Sequence, residues 1–185
     1  MRARLAAIGE SGPEERDLER QREEVHSLLA EFYRDESDPV ELCRKLKSGS
    51  HFMIKEAQLS LIQSLSLSYS SHGFERRKTA ILELEKLKKD GKVSLVQESL
   101  NKVGRMQTVY REAQEKTLQQ VVEERSRSHE PTITRGRWIA LHGTLSADCD
   151  MTERLAESMI QAEREYGEEF AATIRQLTSL IDPGN

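Results

Sequence analysis

VQESLNKVGRMQTVYREAQEKTLQQV, residues Val96 to Val121, decides the fold. Val96, Leu100, Val103, Met106, Tyr110, Ala113, Thr117 and Val121 are spaced 4, 3, 3, 4, 3, 4 and 4. That is the period of an α-helix and not the alternation of a strand. No proline interrupts the chain between Pro39 and Pro131, so nothing stops this helix early. Drawn from Leu95 to Arg127, it reaches about 50 Å, more than the width of a small globular core.

Toward the C-terminus, the polar stretch from Ser126 to Pro131 reads as a turn. Beyond it Trp138, Leu141, Leu145, Cys149, Thr152, Leu155, Met159, Ala162, Tyr166, Phe170, Ile174, Leu177 and Ile181 follow at spacings of 3 and 4. One helix from about Thr134 to Leu180 accounts for them, stopped by Asp182-Pro183-Gly184. Asp150-Met151-Thr152-Glu153 has the form of a capping box, which makes a break near Asp148 the competing reading. From Leu155 to Ile181 the mean spacing is about 3.7, closer to an 11-residue repeat than to a heptad, which favours a straight helix over a supercoiled one.

Toward the N-terminus the helices are shorter. Leu18, Val25, Leu29 and Phe32 form a stripe that begins after Ser11-Gly12-Pro13 and ends at Asp35 to Asp38. Asp38 as N-cap and Pro39 as first helical residue start a second helix carrying Val40, Cys43 and Leu46. Ile54, Ala57, Leu61, Ile62, Leu65 and Tyr69 fit a third. Leu65 to Ser70 also alternates like a strand, but no second such run exists to pair with it. Gly73 reads as the next break, followed by a helix to Lys89 on Ala80, Ile81, Leu84 and Leu87. Asp90-Gly91 reads as an end with a left-handed glycine, and Ser94-Leu95-Val96-Gln97 as a capping box that restarts the chain.

The expected fold is all-α: a long antiparallel helical hairpin, coiled-coil-like, with shorter N-terminal helices packed on part of it. Residues 1–12 are expected to be a flexible N-terminus, 13–91 a region of short helices and 92–185 the hairpin. Composition agrees. Ala, Glu, Lys, Leu and Arg make up 47% of the 185 residues, near the half that marks long helices when a helical period accompanies it. Leu, Ile, Val and Phe make up 23%, enough for a thin core.

Candidate chemistry is sparse. Glu23 and His26 have the Glu-x-x-His spacing of a di-iron bundle, but the other histidines lack a glutamate three residues before them. Asp148-Cys149-Asp150 lacks the glycine and distal glutamate of a calcium loop. Cys43 and Cys149 lie far apart without a neighbouring histidine or basic cluster, and read as buried structural thiols in a reducing compartment. No glycine-rich phosphate loop or nucleophile elbow occurs, so no enzyme activity and no cofactor are expected. No apolar run is long enough to cross a bilayer, and the basic start Met1 to Gly9 meets acids too early for a targeting peptide. A cytoplasmic location follows as the default.

Charge is distributed in blocks. Residues 13–41 carry a net −7, residues 42–111 a net +8 and residues 130–185 a net −5. The densest basic positions, Arg76, Arg77, Lys78, Lys86, Lys88, Lys89 and Lys92, form a candidate patch for nucleic acid or an acidic partner, with few aromatics nearby for base stacking. The alternative is that the acidic segments fold against the basic middle. The leading functional expectation is a non-enzymatic structural or adaptor subunit of a protein assembly, binding its own copy or another protein by helix packing. Tyr110, Trp138, Tyr166, Phe170, Ile174 and Leu177 are the candidate interface residues.

Overall fold

In a computed structural model of the chain, residues 13–68, 70–127 and 149–183 are described. Among them every regular element is helical: α1 Pro13–Tyr33, α2 Pro39–Leu46, α3 His51–Gln63, α4 Ser71–Lys86, α5 Val93–Arg127 and α6 Cys149–Ile181. The expected course of one helix through residues 134–148 lies outside the described residues; of the turn expected at Ser126 to Pro131, Ser126 and Arg127 still belong to α5 and residues 128–131 lie outside the described residues.

Local sequence explains most of the ends. Pro39 opens α2 behind Asp38, whose side chain accepts the N–H of Glu41 at 2.8 Å. Ser50 caps α3 by accepting the N–H of Met53, and Ser70 caps α4 by accepting that of Gly73. These side chains satisfy donors that a helix start leaves without intrahelical partners. The end of α1 is a Schellman turn. Asp35, with φ of 62°, is the left-handed residue, and the N–H groups of Asp35 and Glu36 donate to the carbonyls of Phe32 and Glu31 at 3.2 and 3.0 Å. Aspartate tolerates this conformation better than most residues.

Several expected boundaries move. The third helix stops at Gln63 and not at Tyr69. Ser64 Oγ donates back to the Leu61 carbonyl at 2.7 Å, and Ser66 Oγ accepts the N–H of Ser68 at 3.2 Å. Serine side chains in this run compete with the helix for backbone groups. Gly73 is not a break but lies within the first turn of α4, because Ser70 supplies the cap. The helix start near Ser94 is Val93, with the Lys92 carbonyl accepting from Val96. Gly91 is not left-handed. It is required for a different reason: a Cβ there would stand 2.4 Å from the Glu85 carbonyl oxygen.

The described residues divide into two compact units. The first holds α1 to α4, the start of α5 as far as Gln97 and the end of α6 from Leu177. In it α2 packs on α4, α3 on α1 and α4, and α1 on α2. Val25, Leu29 and Phe32 of α1 are buried with the stripes of α3 and α4. Leu18 stays exposed. On α2 the buried positions are Leu42, Cys43 and Leu46, whereas Val40, expected on the stripe, is 67% exposed. The second unit holds Ser66 to Tyr69, α5 from Glu98 and α6 to Gln176. Its buried residues include Leu100, Val103, Met106 and Tyr110 on α5 and Thr173 on α6.

Candidate partner-binding surface

The basic positions are the first candidate surface, and the fold uses most of them internally. Arg76 rises from α4 to the end of α1. Its guanidinium donates to the carbonyls of Phe32 at 3.1 Å and Ser37 at 2.7 Å, pairs with the Asp35 carboxylate and lies 4.5 Å over the Phe32 ring. It therefore neutralises the carbonyl end of α1, where a helix dipole favours positive charge. Arg77 donates to Ser64 Oγ and to the Gly73 carbonyl and lies over the Tyr33 ring at 5.2 Å. Lys78 sits 3.4 Å from Glu75 and covers the Phe74 ring. Lys86 pairs with Glu83 at 2.6 Å while remaining largely exposed. Lys89 and Lys92 are exposed.

Lys88 belongs to a polar cluster that pattern reading missed. Glu85 is 2% exposed, and its carboxylate accepts from Gln58 Nε2 at 2.9 Å, from Lys88 Nζ at 3.0 Å and from the Lys92 backbone N–H at 2.8 Å. Gln58 also donates to the Ile81 carbonyl at 3.2 Å. Burial pushes the Glu85 carboxyl up, but these hydrogen bonds and the Lys88 charge outweigh it and hold it below the ordinary carboxylate range. One carboxylate thus ties α3, the end of α4 and the residue before α5 together. The only sequence signal was an acid on the apolar side of α4 with a lysine three residues later.

The charge blocks meet in space. Within the first unit, acids from the chain's acidic segments reach bases of its middle: Glu31 to Lys45 at 2.7 Å, Asp35 to Arg76 and Asp182 to Lys55 at 2.8 Å. The Lys45 hydrogen bond and charge hold the Glu31 carboxyl low. Within the second unit Glu169 pairs with Lys102 at 3.0 Å. Part of the charge asymmetry in the sequence is an internal complement.

The candidate interface residues fall into two groups. Tyr110 and Leu177 are buried within the chain itself, whereas Tyr166, Phe170 and Ile174 are half-buried. Tyr110 and Tyr166 meet edge to face, their ring centroids 6.2 Å apart. Trp138 lies outside the described residues. Along α5 the stripe is buried as far as Tyr110, and from Arg111 to Gln120 it is half-buried, at Ala113, Gln114, Thr117 and Leu118.

Glu23 and His26 are both exposed, and no group of three or more His, Cys, Asp or Glu side chains converges among the described residues. Burial pushes the Cys43 thiol up to about 12, the nearby Glu83 adding to the shift. It is therefore a packed thiol and not a nucleophile at neutral pH. No described helix is long and apolar enough to cross a membrane. Comparisons with protein families, with curated proteins and with solved structures find no match to this chain.

Proposed function

We propose that this chain is a non-enzymatic structural or adaptor subunit of a protein assembly in the cytoplasm, with α5 and α6 forming a long antiparallel, coiled-coil-like hairpin whose outer part binds a partner by helix packing. The observation that carries the reading is the change along α5: its stripe is buried from Val96 to Tyr110 and only half-buried at Ala113 and Thr117. A helical stretch of that length gains little from propensity alone in water, since helices shorter than about 12–15 residues are marginal without tertiary packing. A partner laid along this stretch completes the cover that Ala113 and Thr117 have only in part. Two contacts support the antiparallel sense. Lys102 meets Glu169 and Tyr110 meets Tyr166, so advancing along α5 runs backward along α6.

The reading is tested by affinity capture of the tagged chain from its own cells, wild type beside Ala113→Asp, together with thermal unfolding of both. Partner proteins lost by a variant that unfolds like the wild type support it, because an unpaired charge has been set in an apolar contact. A variant that no longer folds assigns Ala113 to the core instead. Retention of partners by a folded variant contradicts the interface. Capture through apolar packing should also survive the step from low to physiological salt, which phosphate binding would not.

A further inference from the structure

The helix α6 carries a second face. About 100° round from the side that bears Tyr166, Phe170 and Leu177, the positions Ile160, Gly167, Ala171 and Ile174 line up at spacings of 7, 4 and 3. Ile160 on this line is 58% exposed, Gly167, Ala171 and Ile174 are half-buried, and a Cβ built on Gly167 would meet nothing within 4 Å. Along one edge of it stand Glu157, Arg164, Glu168 and Arg175, all exposed, and no ion pair holds any of them among the described residues. Their signs alternate at spacings of 7, 4 and 7, and an order of this kind, read backward, is its own complement.

We propose that two copies of this chain pair antiparallel through this face of α6, about a two-fold axis beside Tyr166. An axis there sets Glu157 opposite Arg175 of the second copy and Arg164 opposite its Glu168, each contact occurring twice, as a two-fold interface requires. Only the antiparallel two-fold brings this edge of the helix against itself; a parallel pair would turn it toward the opposite edge. The same register brings Ile160 beside Ala171 and Ile174 of the second copy. Gly167, next to the axis, has no side chain to hold the two backbones apart. The proposal deepens the adaptor reading and rests on it in taking helix packing as the mode of binding, but it names a different face and a specific partner.

Sedimentation equilibrium of the full chain over a range of concentrations, at low ionic strength where exposed charges are least screened, tests it. The wild type should dimerise. Arg164→Glu and Glu168→Arg should each weaken the dimer about tenfold, since each replaces two attractions across the axis by two repulsions. The double variant restores opposite charges and should return to within about threefold of the wild type. Helicity should be unchanged throughout, because both side chains are exposed. A wild type that stays monomeric, single reversals without effect, or a double variant as weak as the singles each overturns the proposal. The adaptor reading is judged separately by Ala113→Asp and survives a monomeric result.

Discussion

Arg76 shows how far a residue's role can stand from its sequence context. In the run Arg76-Arg77-Lys78 it looks like the head of a basic surface, yet it closes the end of α1 through two carbonyls, the Asp35 carboxylate and the Phe32 ring. Replacing it by alanine should destabilise the chain by about 2–3 kcal/mol, the scale of charge-assisted hydrogen bonds left unmade. Arg76→Lys should not restore the loss, because an ammonium cannot serve both carbonyls and stack on the ring. Chemical denaturation of the three proteins measures this. Glu85 yields a pH signature. Its folded pKa is depressed, so its contribution is complete above the unfolded value, near 4.5, and is lost as pH falls through the folded value. Glu85→Gln should therefore be less stable than wild type at neutral pH, by about 1–3 kcal/mol. The gap should close in acid, and a gap independent of pH would contradict the assignment.

Elements were more legible than residues. The stripes of α1, α3, α4 and α5 appear in the sequence as periods of 3 and 4, and the Asp38-Pro39 start of α2 reads directly, because caps and stripes are local signals. What could not be read was fixed by contacts distant in sequence. Ser66, whose carbonyl accepts from Gln107 Nε2 at 2.6 Å, lies in a run that alternates like a strand, and neither periodicity identified it as a turn. Val40 was placed on the wrong side of α2, since in eight residues a stripe of three can be drawn on more than one face. The junction of α4 and α5 was located correctly but for the wrong reason: Gly91 answers to crowding by the Glu85 carbonyl and not to a left-handed turn. Gly91→Ala should accordingly lower stability by about 1–3 kcal/mol, the usual cost of overpacking. Gly91→D-Ala, which a left-handed position would favour, should bring no gain. Thermal unfolding of the two chains, the second made by ligation, reports which explanation holds.

Across the whole molecule, charge and apolar surface behave differently. The acidic segments and the basic middle meet in part, through Glu31 and Lys45, Asp35 and Arg76, Asp182 and Lys55, and Glu169 and Lys102. The apolar stripe is not used up in the same way, since on α5 it passes from buried at Tyr110 to half-buried at Ala113 and Thr117. The central claim is that the stretch beyond it waits for a partner. Amide hydrogen exchange, followed segment by segment on the isolated chain and on the chain recovered with its partners, tests this directly. The account predicts that Arg111 to Gln120 exchanges faster than Val96 to Tyr110 in the isolated chain and becomes protected in the complex. Equal protection of the two segments in the isolated chain, or no change at Arg111 to Gln120 on binding, would contradict it.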